Sequence, residues 1–275
     1  MNNLLKKLSI YLVRKTFLGR GFFRKHSISF LKKQFLLKST TKYDDLPSLV
    51  VDINNVPFKF YFDEKSNLSK FVGKEDKDEI DFLKSALPDN FIFLDIGANN
   101  GFYTQMLLAE CKKNKLGRIV SIEPNPLMRE RLIENTKLLD SQDFESGKYI
   151  DIVDCAVGES DTTAFLNFSL GYGQAYIEKS HENGIPVKIR PLIEILKSLD
   201  ITKVDALKID VEGFEYSALK PFFDSADESL FPRKIVIEYT HNDQWGNNDF
   251  IDILESEYSY KNISRTDNNI LLQHT

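Results

Sequence analysis

Acids and one histidine stand where apolar runs end. Glu123 follows RIVSI, Asp210 and Glu212 follow VDALKI, Glu238 closes KIVIE, and His241 comes just after it. Short runs that are apolar almost throughout are the pattern of parallel strands covered on both faces. In an open α/β sheet, ligands lie in the crevice outside the carboxyl ends of such strands. Carboxylates delivered there can accept the hydroxyls of a ribose, take a proton from an attacking oxygen, or hold a hard cation. The cysteines offer no competing chemistry: Cys111 and Cys155 lack CxxC or Cys/His metal spacing and read as reduced core or helix residues. His26, His181 and His274 have no partner pattern and read as surface residues.

The segment that must position these groups is Phe91 to Glu110, FIFLDIGANNGFYTQMLLAE, which reads as a strand, a glycine turn and a helix in immediate succession. Asp95 is the one polar break in the strand. Gly97 and Gly101 frame the turn, where missing Cβ atoms let the backbone bend tightly and approach a ligand. Phe102, Met106 and Leu107 then recur at helical spacing. A dinucleotide fingerprint wants glycines at the first, third and sixth turn positions, and these hold Gly97, Asn99 and Phe102. The turn is therefore a nucleotide-type cradle of another kind.

An acid ahead of this looser turn resembles the first motif of the S-adenosylmethionine (SAM) methyltransferases. With SIEPNP, LKIDVEGFEYSAL and VIEYTH following in this order, the stretch from Phe91 to Tyr239 resembles the FkbM family of those enzymes. KIDVEGFE is the piece that distinguishes this family from other class I methyltransferases. The resemblance implies a Rossmann-like α/β fold, with a mostly parallel sheet and an antiparallel terminal strand, and O-methylation of a hydroxyl, often on a sugar or secondary metabolite. It assigns Asp95, Gly97, Ala98, Asn99 and Gly101 to the methionine and ribose portions of SAM, and Glu123 to the ribose diol. Asp154, Cys155 and Ala156, in DIVDCAVGE, fall beside the adenine on this match, although an ordinary strand running into a turn at Gly158 describes them equally well.

An alcohol has a pKa near that of water, about 15.7, so removing its proton during attack favours methyl transfer. Asp210 and His241 are the candidates for that base: Asp210 has the better position, and His241 the more suitable intrinsic pKa. Glu212 joins them as a candidate catalytic residue, while Glu215 reads as an acid stabilising the positive end of a helix dipole. A rival chemistry has Asp210, Glu212, Glu238 and His241 holding a magnesium-like cation, but their spacing matches no dedicated metal motif, and no metal is assigned. Two function classes remain: an O-methyltransferase acting on a sugar, and a SAM- or sugar-nucleotide-binding protein without catalysis of its own.

The 275 residues, 42% of them hydrophobic, suit one α/β domain with appended segments. Residues 43–90 read as a hairpin, LVVDI and FKFYF around Asn54 and Asn55, and a lead-in helix from Lys77 to Leu87; residues 91–275 read as the core. Tyr258 to Ile263 and Asn269 to Gln273 read as a terminal antiparallel pair, and GYGQA, Gly171 to Ala175, as a loop or turn. Residues 1–42 contain eleven Lys and Arg and no acid, leaving 25 of the 36 basic residues against all 41 acids, a net −16. In this arm Leu4, Leu5, Leu8, Tyr11 and Leu12 share a helical face opposite Lys6, Lys7 and Arg14, so it fits either an anionic membrane surface or the acidic body. LSIYLV is a meagre signal core, so a cytoplasmic protein is expected, with peripheral contact at the inner membrane surface or packing of the arm on its own acidic body as the two alternatives. The acidic remainder argues against a nucleic-acid partner.

Overall fold

The computed structural model describes residues 48–61, 76–114, 116–167, 176–178, 184–245 and 249–275. The arm at 1–42, the GYGQA segment, His26 and His181 lie outside them. The chain divides into two compact units, Met1–Lys77 and Asp78–Thr275. In the first, β1 (Ser48–Ile53) and β2 (Val56–Tyr61) pair antiparallel. Between them Asn54 and Asn55 adopt φ of 52° and 66°, the left-handed pair that a two-residue hairpin turn needs and that asparagine tolerates.

Helix α1 (Lys77–Lys84) leads into β3 (Ile92–Ile96), β4 (Arg118–Ile122) and β5 (Ile150–Val153), which run parallel. Helices α2 (Phe102–Asn114) and α3 (Pro126–Lys137) make the crossovers. After β6 (Cys155–Val157), in the stretch read as a strand running into a turn at Gly158, come three strands that the sequence patterns did not announce, β7 (Thr162–Asn167), β8 (Tyr176–Glu178) and β9 (Ile185–Arg190); the four form a separate sheet in the order β6-β9-β7-β8. After α4 (Leu192–Ser198), β10 (Ala206–Ile209) and β11 (Lys234–Glu238) flank α5 (Glu215–Ser225). Helix α6 (Phe250–Glu257) then precedes the antiparallel pair β12 (Tyr260–Arg265) and β13 (Asn269–His274).

The main sheet has the order β12-β13-β11-β10-β3-β4-β5. From β3 the chain builds outward through β4 and β5, then returns to lay β10 and β11 on the other side. The junction of β3 with β10 is thus the topological switch point, where a crevice opens at the carboxyl edge. Alternation along the strands serves two layers. Leu94, Ile96, Val120, Ile122, Leu207 and Ile209 enter one core with residues of α4, α5 and α6. On the opposite face Ser121, Asp95 and Lys208 stand in register across β4, β3 and β10, all buried. Thr104 of α2 covers that row: its N–H and hydroxyl donate to Asp95 Oδ2 at 2.9 and 2.6 Å, and its hydroxyl lies 2.7 Å from that of Ser121.

Two side chains at the sheet margin depart from simple expectation. His274 is packed rather than free on the surface, its ring 5.0 Å from Tyr260 and 5.9 Å from Phe231. Lys234, at the start of β11, donates from Nζ to the backbone oxygens of Phe82 (2.9 Å) and Ser85 and to the Ser85 hydroxyl, closing the end of α1 where helical carbonyls lack partners. Lys234→Met removes these donors and keeps the stem. It should cost about 1–3 kcal/mol, read as a fall of roughly 5 °C in the thermal midpoint; an unchanged midpoint would mean the contact contributes nothing.

Candidate active site

At the switch point the turn after β3 is tied to both neighbouring strands. Gly97 and Ala98 donate N–H to Ile122 O of β4 at 2.9 and 3.1 Å, and Asp210 donates its N–H to Ile96 O at 3.1 Å. Gly97, at φ +74°, has no room for a side chain: a Cβ would fall 2.0 Å from Asp210 O. At φ +82°, Gly101 faces Leu132 of α3 in the same way, at 2.8 Å. Both glycines therefore let protein backbones and side chains pack against the turn, which fixes its shape.

Glu123, at the carboxyl end of β4, is buried. Its Oε2 accepts the N–H of Asn99 at 2.7 Å, and its Oε1 that of Asn125 at 2.8 Å. Asn99 takes φ 53° to make the turn. Burial pushes the Glu123 carboxyl up to about 7, against those two N–H donors, which favour the charged form. Behind it Arg129 donates to Glu123 O and Pro124 O at 3.0 and 2.7 Å. Each carboxylate oxygen accepts one backbone N–H and retains a second lone pair. Beyond β5, Asp154 is exposed, while Cys155 and Ala156 are buried. The Cys155 side chain belongs to the hydrophobic core, and burial lifts its thiol to about 11.

The second half of the site comes from β10 and β11. Asp210 is half-exposed, and its Oδ2 lies 3.5 Å from Nζ of Lys208, a buried cation whose ammonium also donates to Ile209 O at 3.0 Å and sits 5.3 Å from the Tyr103 ring centroid. Glu212 takes φ 54° and Gly213 φ 98°, a left-handed pair that costs a glutamate strain. Glu215 holds this bend. Fully buried, it accepts the N–H of Val211 at 2.9 Å and of Gly213 at 3.3 Å on Oε1, and the indole N–H of Trp245 at 3.0 Å on Oε2. Glu215 is thus a clamp on the loop, a role beyond the dipole effect expected of it.

His241 Nδ1 lies 3.5 Å from Glu238 Oε2, 3.6 Å from Glu212 Oε2 and 3.3 Å from the Thr240 hydroxyl. Burial works against the charged imidazole, but the carboxylates of Glu238 and Glu212 outweigh it, and His241 titrates above its ordinary value. Burial, then the nearby Asp210 charge, lifts Glu238 to about 7; the same two causes raise Glu212. Asp210, Glu215 and Glu238 can bring one oxygen each within 4.8 Å of one another. Since Glu215 already receives three N–H donors, it is poorly suited as the third ligand of a cation. Among the residues that the sequence singles out, Asp95, Gly97, Asn99, Glu123 and Asp210 are joined by adjoining backbone, as are Glu212, Glu238 and His241 by side-chain contact. Lys208 was missed: a lysine inside the strand ALKI is the signal that would have found it.

A family model, the methyltransferase FkbM domain, matches residues 95–261, more than half the chain. The chain belongs to the FkbM methyltransferase family. No curated protein matches it. Among solved structures it is similar to the FkbM methyltransferase from Methylobacillus flagellatus KT at 19% identity and a TM-score of 0.48, over 76% of this chain and 54% of that one. The present chain thus spans about half the length of that protein. It is also similar to M. capricolum TrmK, solved with S-adenosyl-homocysteine (10% identity, TM-score 0.40, 71% of this chain and 66% of that one). M. jannaschii TYW2, solved with AdoMet, is a third (13%, 0.38, 86% and 90%). Among the described residues of this FkbM chain no helix is long and apolar enough to cross a membrane.

Proposed function

We propose that this FkbM domain transfers a methyl group from SAM to a hydroxyl, on a sugar of a glycan or glycolipid. One observation carries the reading: the turn from Gly97 to Gly101 with Glu123, and the cluster of Asp210, Glu212, Glu238 and His241, share the carboxyl edge at one switch point. The donor set at Glu123 fits the cofactor, since two oxygens with a lone pair each match the two hydroxyls of a ribose. Asp95 supports the turn from behind by holding Thr104 at the start of α2, and Asp154 to Ala156 are proposed to flank the adenine through their backbone.

When bound, SAM supplies a methyl group on a sulfonium sulfur, which keeps the electron pair as the carbon–sulfur bond breaks and the acceptor oxygen takes the methyl. The chain then has two tasks. It must hold the acceptor oxygen in line, which supplies much of the rate, and it must take the hydroxyl proton. His241, partly exposed and beside two carboxylates, is suited to receive that proton; Asp210, paired with Lys208, is suited to orient the hydroxyl. Contact of residues 1–42 with an anionic lipid surface belongs to the same proposal and rests on their charge pattern alone.

The deciding experiment transfers labelled methyl from SAM into a glycan and metabolite extract, comparing the wild type with Asp210→Asn, with and without exhaustive chelation. Label is expected in a glycan fraction with the wild type, falling roughly 100-fold in the variant as the hydroxyl loses its orienting carboxylate, while SAM binding is retained. Absence of label from every fraction, with SAM still bound, would favour a binding protein instead; loss of label on chelation would restore the cation chemistry.

A further inference from the structure

We infer that Glu238 is the positioning residue that holds His241 by Nδ1 and so leaves Nε2 as the nitrogen that accepts the acceptor's proton; this rests on the methyl-transfer reading above. Three observations about the pair converge. Glu238 is buried and fixed at the end of β11, where its Oε1 accepts the N–H of Thr240 at 2.9 Å. Its other oxygen, Oε2, is buried without a hydrogen-bond partner, a costly state for a carboxylate oxygen unless a cationic or N–H group faces it. The group that faces it is His241 Nδ1 at 3.5 Å, a separation that a shift of the ring nitrogen by a few tenths of an ångström turns into a hydrogen bond.

An imidazole that donates from Nδ1 carries its lone pair on Nε2, so the partner carboxylate selects the tautomer as well as the orientation. Glu212 Oε2 approaches the same Nδ1 at 3.6 Å, but its side chain is one-third exposed and it hangs from a strained turn, whereas Glu238 is anchored in the sheet. The Thr240 hydroxyl, 3.3 Å from Nδ1, is a neutral third neighbour. Around this pair stand Glu212 and Asp210 from the end of β10 and its following turn, Glu215 from α5, and the cation Lys208. Negative charge therefore dominates, and the carboxylates of Glu238 and Glu212 favour the charged imidazole. During transfer the hydroxyl proton passes to Nε2, and from the imidazolium it returns to water once the methylated product has left.

The test reads His241 directly, by NMR of its ring nitrogens, and then reads turnover, in the full chain. In the wild type Nδ1 is expected to carry the proton, with the ring titrating above its ordinary value. Glu238→Gln removes the charge, so the ring should titrate lower and the acid limb of the kcat profile should move to lower pH. In the same variant kcat should fall roughly tenfold or more, with KM for SAM unchanged. Glu238→Asp should restore the titration in part, which a merely structural role would not do. Unchanged ring titration in Glu238→Gln, a wild-type proton on Nε2, or a larger shift from Glu212→Gln than from Glu238→Gln would each overturn the assignment. If the ring behaves as expected while no acceptor is ever methylated, the methyl-transfer reading fails and the pairing stands.

Discussion

Gly97→Ala should lose cofactor binding and several kcal/mol of stability together. At φ +74° a non-glycine residue is already strained by roughly 1–2 kcal/mol. The added Cβ would also fall 2.0 Å from Asp210 O, 3.0 Å from Asp210 C and 3.3 Å from Val211 Cγ1. The first two are backbone atoms of a strand end, so no rotamer change relieves the clash. The ends of β3 and β10 must separate, and the hydrogen bond from Asp210 N to Ile96 O is the first to break. A total of about 3 kcal/mol or more follows, equivalent to roughly 10 °C in the thermal midpoint. The opening lies between the turn and the acid cluster, so SAM affinity should fall by at least about 30-fold in whatever protein remains folded. Gly147→Ala is the control, because a Cβ there meets nothing within 4 Å. Equal midpoints for the two variants would show that the turn is far more pliable than its packing implies.

That clash explains why some of this architecture is legible in the sequence and some is not. Strands β3, β4, β10 and β11 are buried on both sides, so their runs are apolar almost throughout, and the few polar residues inside them mark a purpose: Asp95 and Ser121 meet Thr104, and Lys208 meets Asp210. The hairpin is announced by Asn54 and Asn55, because few other residues accept two left-handed φ values in succession. Strands β7 to β9 of the second sheet give no such signal. Strand β7 begins with two exposed threonines and β9 with exposed Ile185 and Pro186, so neither alternation nor a continuous apolar run emerges. Contacts between distant residues are hidden for a different reason. Glu215 and Trp245 meet across 30 positions, and nothing local in either segment specifies the other. The acids at the strand ends were visible; which of them serves the loop, the ribose or the imidazole depends on the register of β10 against β3 and β11, a property of the folded sheet.

Glu123 is where register and ionisation combine most directly. Glu123→Ala should leave the domain folded by circular dichroism and weaken SAM binding roughly 100-fold. Each charge-assisted hydrogen bond to a ribose hydroxyl is worth about 1.5–3 kcal/mol, and two are lost. An unchanged dissociation constant would remove Glu123 from the cofactor site. The ionisation supplies a second, independent signature. Burial raises the carboxyl from 4.5 to about 7 in the unliganded fold, so below pH 4.5 it is neutral in both folded and unfolded chains and imposes no cost. As pH rises through 7 the folded state must bury a charge that the unfolded state exposes to water. The raised pKa therefore favours folding on the acid side, and that contribution is lost between about pH 4.5 and 7, on the order of 3 kcal/mol at full ionisation. Glu123→Gln has no such titration. It pays a constant penalty, since an amide can accept only one of the N–H groups of Asn99 and Asn125, but its stability relative to wild type should climb across that window. Bound ribose hydroxyls favour the carboxylate, so SAM affinity should move oppositely, weakening by up to about tenfold per pH unit below 7 in the wild type and staying flat in Glu123→Gln. Thermal midpoints of the two proteins that run parallel from pH 4.5 to 7 would show that Glu123 ionises without cost in the fold, and would detach its burial from any role in sensing the cofactor.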